Sequence, residues 1–259
     1  MSNFRSSSGF MSSVPLVTKN IIIINALMWF ATIVLPKVGL NIVPFLGLHY
    51  IGSDQFMPSQ LITYMFMHDP SSITHVLFNM FGVYMFGRVL EQVWGPKRFL
   101  IYYFVTGIGA GLIQEITWYI ELIPFLEVIN NYTGDNSVLA MFHLDVQQGV
   151  FYSAKALVEA KEIVYNQMLT IGASGSVFGI LLGFGMLFPN APLYLMFIPV
   201  PIKAKYMVIG YGLIELFSGV SRFTGDNVAH FAHLGGMLFG FFLIRYWKKK
   251  GIGNGFFLG

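Results

Sequence analysis

Residues 229–240 read Ala229-His230-Phe231-Ala232-His233-Leu234-Gly235-Gly236-Met237-Leu238-Phe239-Gly240, with two histidines at the head of a run apolar enough to cross a membrane. A second stretch, Gly172-Ala173-Ser174-Gly175, opens another such run with a serine. A nucleophile and a base set inside lipid-spanning helices point to hydrolysis within a bilayer.

Composition agrees with that setting. The chain is 55% hydrophobic, 17% aromatic and 10% charged, whereas a soluble domain carries about a quarter charged residues. An integral membrane protein is expected, with the lipid bilayer as its surroundings. The absence of cysteine excludes disulfides, thiolate metal sites and cysteine nucleophiles. The formal charge of +3 does not imply nucleic acid. Its basic residues stand at the ends of apolar runs, as orientation signals do, and form no binding patch.

At about 20 residues per crossing, six spans are expected at about 18–37, 73–92, 98–120, 169–189, 204–220 and 228–247. The fold class is therefore an all-α polytopic membrane protein, a bundle of six transmembrane helices. The expected organisation is a polar N-terminal segment 1–17, a membrane domain 18–247 and a short basic tail 248–259. Residues 1–17 lack the basic start, apolar core and cleavage site of a secretory signal, so the first apolar run is read as an anchor. The connector holding Gly39, Pro44, Gly47, Gly52 and Pro58 fits an interfacial segment and an ordinary loop equally. An extracytoplasmic insert is expected over 124–168, with a helical pattern through Ala154, Leu157, Val158, Lys161 and Tyr165. Pro189, Pro192, Pro199 and Pro201 make 190–203 a turn or short hairpin.

The basic residues set the orientation, because short loops that keep positive charge stay cytoplasmic. With the N-terminus inside, Arg5, Lys19, Arg88, Lys97, Arg98, Lys203, Lys205, Arg245, Lys248, Lys249 and Lys250 are cytoplasmic, and Lys37, Lys155, Lys161 and Arg222 are outside. Both termini are then cytoplasmic, and spans two, four and six run inward. His75 and Asn79 on span two, Ser174 on span four and His233 on span six all fall roughly 5–12 Å below the outer surface at 1.5 Å per residue. Polar groups at membrane depth are costly unless paired, so their coincidence defines the candidate site. Gly175, Gly179 and Gly183, with Gly236 and Gly240, recur every four residues and predict close approach of spans four and six.

Ser174 needs a base to take its proton and return it to the leaving amine, and His233 is the one set directly before Gly235-Gly236. No acid holds a persuasive third position: Glu115 and Glu215 are far along spans three and five, and Glu91 is near the cytoplasmic end of span two. The pair is read as a dyad. His75 and Asn79, at i and i+4, offer N–H groups to an oxyanion alongside the Ser174 backbone. Phe178, one turn below Ser174, offers a ring for the imidazole. The bland alternatives are a serine in a glycine packing seam and a metal site at His230 and His233. A catalytic zinc takes about three protein ligands and no His-Glu-x-x-His string exists, so no metal and no cofactor are expected. His230 is read as a polar neighbour, His68 and Asp69 as interfacial, and His49 and His143 as solvated.

Gly172-Ala173-Ser174-Gly175, His75-Val76-Leu77-Phe78-Asn79 and Ala232-His233-Leu234-Gly235-Gly236 together, in this order on these spans, resemble the rhomboid family of intramembrane serine proteases. The resemblance implies a six-helix core in which Ser174 is the nucleophile, His233 the base, and His75 with Asn79 the oxyanion support. It also implies that Glu91 is a structural acid, that transmembrane proteins are the substrates, and that a bacterial cytoplasmic membrane is the setting. Two departures stand out: Gln60-Leu61-Ile62-Thr63-Tyr64 replaces the Trp-Arg pair many members carry, and Phe178 stands where some have tyrosine. The alternative is a non-catalytic rhomboid-like protein that binds or escorts transmembrane clients, a class that usually lacks the serine or the histidine.

Overall fold

The computed structural model describes residues 13–132, 137, 139, 152–194, 200–221 and 228–251. Most of the expected segment 1–17 and tail 248–259, and all of His143, lie outside them. Helix α1 spans Leu16–Val34 and ends in a 3-10 turn, Leu35–Val38. The connector holds the short helices α2 (Val43–Leu46) and α3 (Gln60–Thr63), with strand β1 (Leu48–His49) between them. Helix α4 (Ile73–Gly82) runs through a π turn at Val83–Gly87 into α5 (Arg88–Trp94). After Gly95 comes the long α6 (Pro96–Asn130), then α7 (Ala154–Gln167), strand β2 (Leu169–Thr170) and α8 (Ser174–Leu187). Strands β3 (Pro192–Leu193) and β4 (Ile202–Lys203) pair antiparallel before α9 (Ala204–Ser221) and α10 (His230–Lys249).

Helices therefore occupy all six stretches expected to be apolar. Among the described residues, three helices are long and apolar enough to cross a membrane, Leu16–Val38, Ile73–Trp94 and Pro96–Asn130, and Ser174–Leu187 is apolar but shorter. The outer surface is what a bilayer requires. Leu27, Phe30, Leu77, Phe78, Phe217 and Phe242 are exposed, whereas Thr18, Asn25, Ser176, Glu215 and His233 are buried. The interior is apolar as well, and the outward apolar face suits hydrocarbon, which offers a polar group no partner.

Small residues set the packing. A Cβ at Gly236 would collide with the Gly175 carbonyl oxygen, and one at Gly179 would lie 2.6 Å from Thr106 Cβ. Helices α8 and α10 thus meet backbone to backbone at Gly175 and Gly236, whereas Gly179 and Gly240 pack against α6. Polar bonds tie α6 to α8: Ser176 Oγ donates to the Tyr103 carbonyl at 2.9 Å, and Tyr102 OH to that of Gly179 at 2.7 Å. Glu91 caps α1, accepting the N–H groups of Val17 at 2.9 Å and Thr18 at 2.7 Å and the Thr18 hydroxyl at 2.7 Å. Those are donors that a helix start leaves unpaired.

Several expectations are corrected. Helix α6 continues through Pro124 to Asn130. A proline removes one intrahelical bond, and burial of Leu122 and Phe125 on either side holds the helix together. Span four does not begin at 169, because Leu169 and Thr170 pair with His49 and Leu48. The connector is packed rather than loose, with Leu48, Met65 and Met67 fully buried. Gln60 organises it: its Oε1 accepts from the backbone of His49 and Met57, and its Nε2 donates to Phe45 and Gln55 carbonyls. His49 is buried rather than solvated, its Nε2 3.0 Å from the Pro44 carbonyl, and His68 is fully buried within the protein.

Candidate active site

Ser174 is the first residue of α8. Strand β2 ends at Thr170, and Gly172 follows with φ of 139°, a conformation that strains any residue with a side chain. That turn starts the helix at Ser174, so the N–H groups of Ser174 and Gly175 have no helical carbonyl behind them and lie at the positive end of the helix dipole. The side chain is half-buried.

His233, buried on the first turn of α10, stands with Nε2 at 2.8 Å from Ser174 Oγ. The close seam at Gly175 and Gly236 brings the helices near enough for this bond. Phe178, one turn into α8, stacks on the imidazole with ring centroids 4.3 Å apart and planes 7° from parallel. The expected ring contact is present, supplied without a hydroxyl.

His75 and Asn79 behave differently. The position that a Cβ on Gly172 would fill lies 3.1 Å from His75 Nε2 and 3.6 Å from Ser174 Oγ. The missing side chain thus leaves a small space flanked by the hydroxyl and the His75 ring. Asn79 is buried, but its Nδ2 donates to the His75 carbonyl at 3.0 Å. Among the described residues no hydrogen bond joins it to Ser174 or His233. His68 packs edge-on to His75 at 5.0 Å and so limits how the His75 ring turns. In the turn ahead of α4, Asp69 accepts the hydroxyl and N–H of Ser71 at 2.7 and 2.8 Å, and these bonds hold its carboxyl below the usual range.

The residue that motif reading missed is Glu215. It lies on α9, buried, with Oε2 at 2.9 Å from His233 Nδ1 and 2.6 Å from His230 Nδ1. The expectation that no acid reaches the histidine is overturned. Position along the span carried the signal: Glu215 is six residues from the end of α9 at Ser221, close to the depth of Ser174 and His233. Glu215, His230 and His233 bring donor atoms within 4.8 Å of one another. Two of the three separations are hydrogen-bond lengths, whereas two donors on one tetrahedral zinc stand about 3.3 Å apart.

A helical membrane protein with a serine and a histidine in contact at the starts of two close-packed helices defines the class. Within it, the model of the Rhomboid domain matches residues 55–118 and 122–250. The chain belongs to the rhomboid family. It is also similar to a curated protein of Arabidopsis thaliana described as RHOMBOID-like protein 12, mitochondrial, with 29% identity over 178 residues, 68% of this chain. The chain spans 42% of that relative's length.

Proposed function

We propose that the protein is an intramembrane serine endopeptidase that cleaves peptide bonds in or beside transmembrane segments of other membrane proteins. The observation that carries this reading is the 2.8 Å contact between Ser174 Oγ and His233 Nε2 at the head of α8. A hydrogen bond of this length is what nucleophile and base require. In the proposed reaction the Ser174 oxygen attacks the substrate carbonyl as its proton passes to His233 Nε2. The tetrahedral oxyanion occupies the space beside Gly172, between the Ser174 and Gly175 N–H groups and His75, with Asn79 supporting from the next turn. His233 then gives the proton to the leaving amine, and water hydrolyses the acyl enzyme by the same route reversed. Only the chain's own residues are needed; no cofactor or metal enters. A peptide bond within an intact helix is shielded, so substrates that unwind near small residues are preferred.

The proposed setting is six crossings of a bacterial cytoplasmic membrane with both termini cytoplasmic. The membrane domain 18–247 carries the insert 124–168, flanked by the segment 1–17 and the tail 248–259. The alternative is a client-binding rhomboid relative without activity. Retention of both Ser174 and His233 in contact favours the enzyme. The test is cleavage of a single-span reporter by purified protein in liposomes. Wild type cleaves with or without chelator, and Ser174→Ala and His233→Ala each lose about 10³-fold or more. Folded wild type that cleaves none of several reporters moves client binding to first place.

A further inference from the structure

We propose that Glu215 is the positioning residue of the site, an acid on α9 that holds His233 in the tautomer able to take the Ser174 proton. This role rests on the protease reading above. An ionised carboxylate has no hydrogen to give, so a bond at 2.9 Å from Glu215 Oε2 to His233 Nδ1 puts the ring proton on Nδ1. Nε2 is then left as an acceptor facing the Ser174 hydroxyl at 2.8 Å. The opposite tautomer would present N–H to the serine and leave two lone-pair atoms facing each other across the Glu215 contact. His230 Nδ1, 2.6 Å from the same oxygen, supplies a second N–H donor to the carboxylate. Both histidines lie on the first turn of α10, three residues apart.

The proton inventory stays simple. One proton moves from Ser174 Oγ to His233 Nε2 and on to the leaving amine, while the Nδ1 proton remains on His233, bonded to Glu215. When the ring carries both protons, the buried carboxylate balances its charge where lipid cannot. The bond also joins α9 to the histidine helix. Phe178 on one ring face and Glu215 at one ring edge then leave the imidazole no free rotation.

The test uses full-length protein in liposomes, with a fluorophosphonate as the probe of Ser174 and a single-span reporter as substrate. Glu215→Gln lowers both the labelling rate and kcat at least about tenfold, with KM within about twofold of wild type, because only the step that uses the base is damaged. Glu215→Asp, which keeps the charge, recovers part of that loss. ¹⁵N spectra of the histidines in the wild type show His233 protonated on Nδ1, a measurement independent of whether any variant folds. A wild-type His233 carrying its proton on Nε2, or Gln and Asp variants as fast as wild type, overturns the role while leaving the protease reading intact. Wild type that neither labels nor cleaves overturns the protease reading and this role with it.

Discussion

At the scale of single residues, Gly172 does two jobs at once. Its φ of 139° ends the approach to α8, and its missing side chain leaves the space between His75 Nε2 and Ser174 Oγ. Gly172→Ala should therefore fail twice. The backbone strain costs about 1–3 kcal/mol, lowering Tm, and the methyl takes the place proposed for the oxyanion, lowering kcat by about 10²-fold or more. Reporter cleavage and a thermal melt in detergent measure the two effects separately. Wild-type turnover in a Gly172→Ala protein would move the oxyanion elsewhere. Ser174, His233, His75 and Phe178 were all legible in the sequence, because each sits in a short motif at a countable depth. Glu215 was not, because it stands alone on its helix with no motif around it, and only the fold sets it against His233. Asn79 was legible as a buried polar residue, but its rotamer toward the His75 carbonyl is decided by packing.

At the scale of elements, glycine spacing foretold close packing but not every partner: Gly236 meets Gly175 where α10 touches α8, whereas Gly179 and Gly240 face Thr106 and Tyr102 of α6. The start of α8 was misread for a physical reason: Leu169 and Thr170 are as apolar as a helix end, and their pairing with β1 depends on a partner 120 residues away in the chain. The hairpin before α9 was legible because prolines bar helix locally. The run of α6 past Pro124 was not, because tertiary burial overrode the local signal. The seam itself yields a measurable consequence. A Cβ at Gly236 would collide with the Gly175 carbonyl oxygen, which is backbone and cannot swing aside. Gly236→Ala should push α10 off α8, costing about 1–3 kcal/mol and stretching the Ser174–His233 contact. Tm in detergent and fluorophosphonate labelling should fall together. Gly212→Ala is the control, since its Cβ would meet no atom closer than Met237 Cε at 3.5 Å. A Gly236→Ala protein as stable and as reactive as the control would show that the helices are not held at that point.

At the scale of the whole molecule, the site is consistent only if the helices alternate in direction. Ser174 opens α8, His233 lies on the first turn of α10, and Glu215 lies six residues before the end of α9. At 1.5 Å per residue, all three fall within about 9 Å of one end of the bundle. A parallel α9 would put its carboxylate near the opposite face. Which compartment that end faces is decided by charge. The far end of α10 carries Lys248 and Lys249 in its last turn, where they complement the helix dipole and would anchor that end in the cytoplasm. The lack of native cysteine makes the orientation directly measurable. Lys37→Cys, exposed after α1, should react with a membrane-impermeant maleimide in intact cells, and Lys249→Cys, exposed at the other end, only after permeabilisation. That result puts Ser174 within reach of the extracytoplasmic ends of substrates. The reverse labelling would turn the same hydrogen-bonded site toward the cytoplasm, and the substrate segments to be tested would change with it.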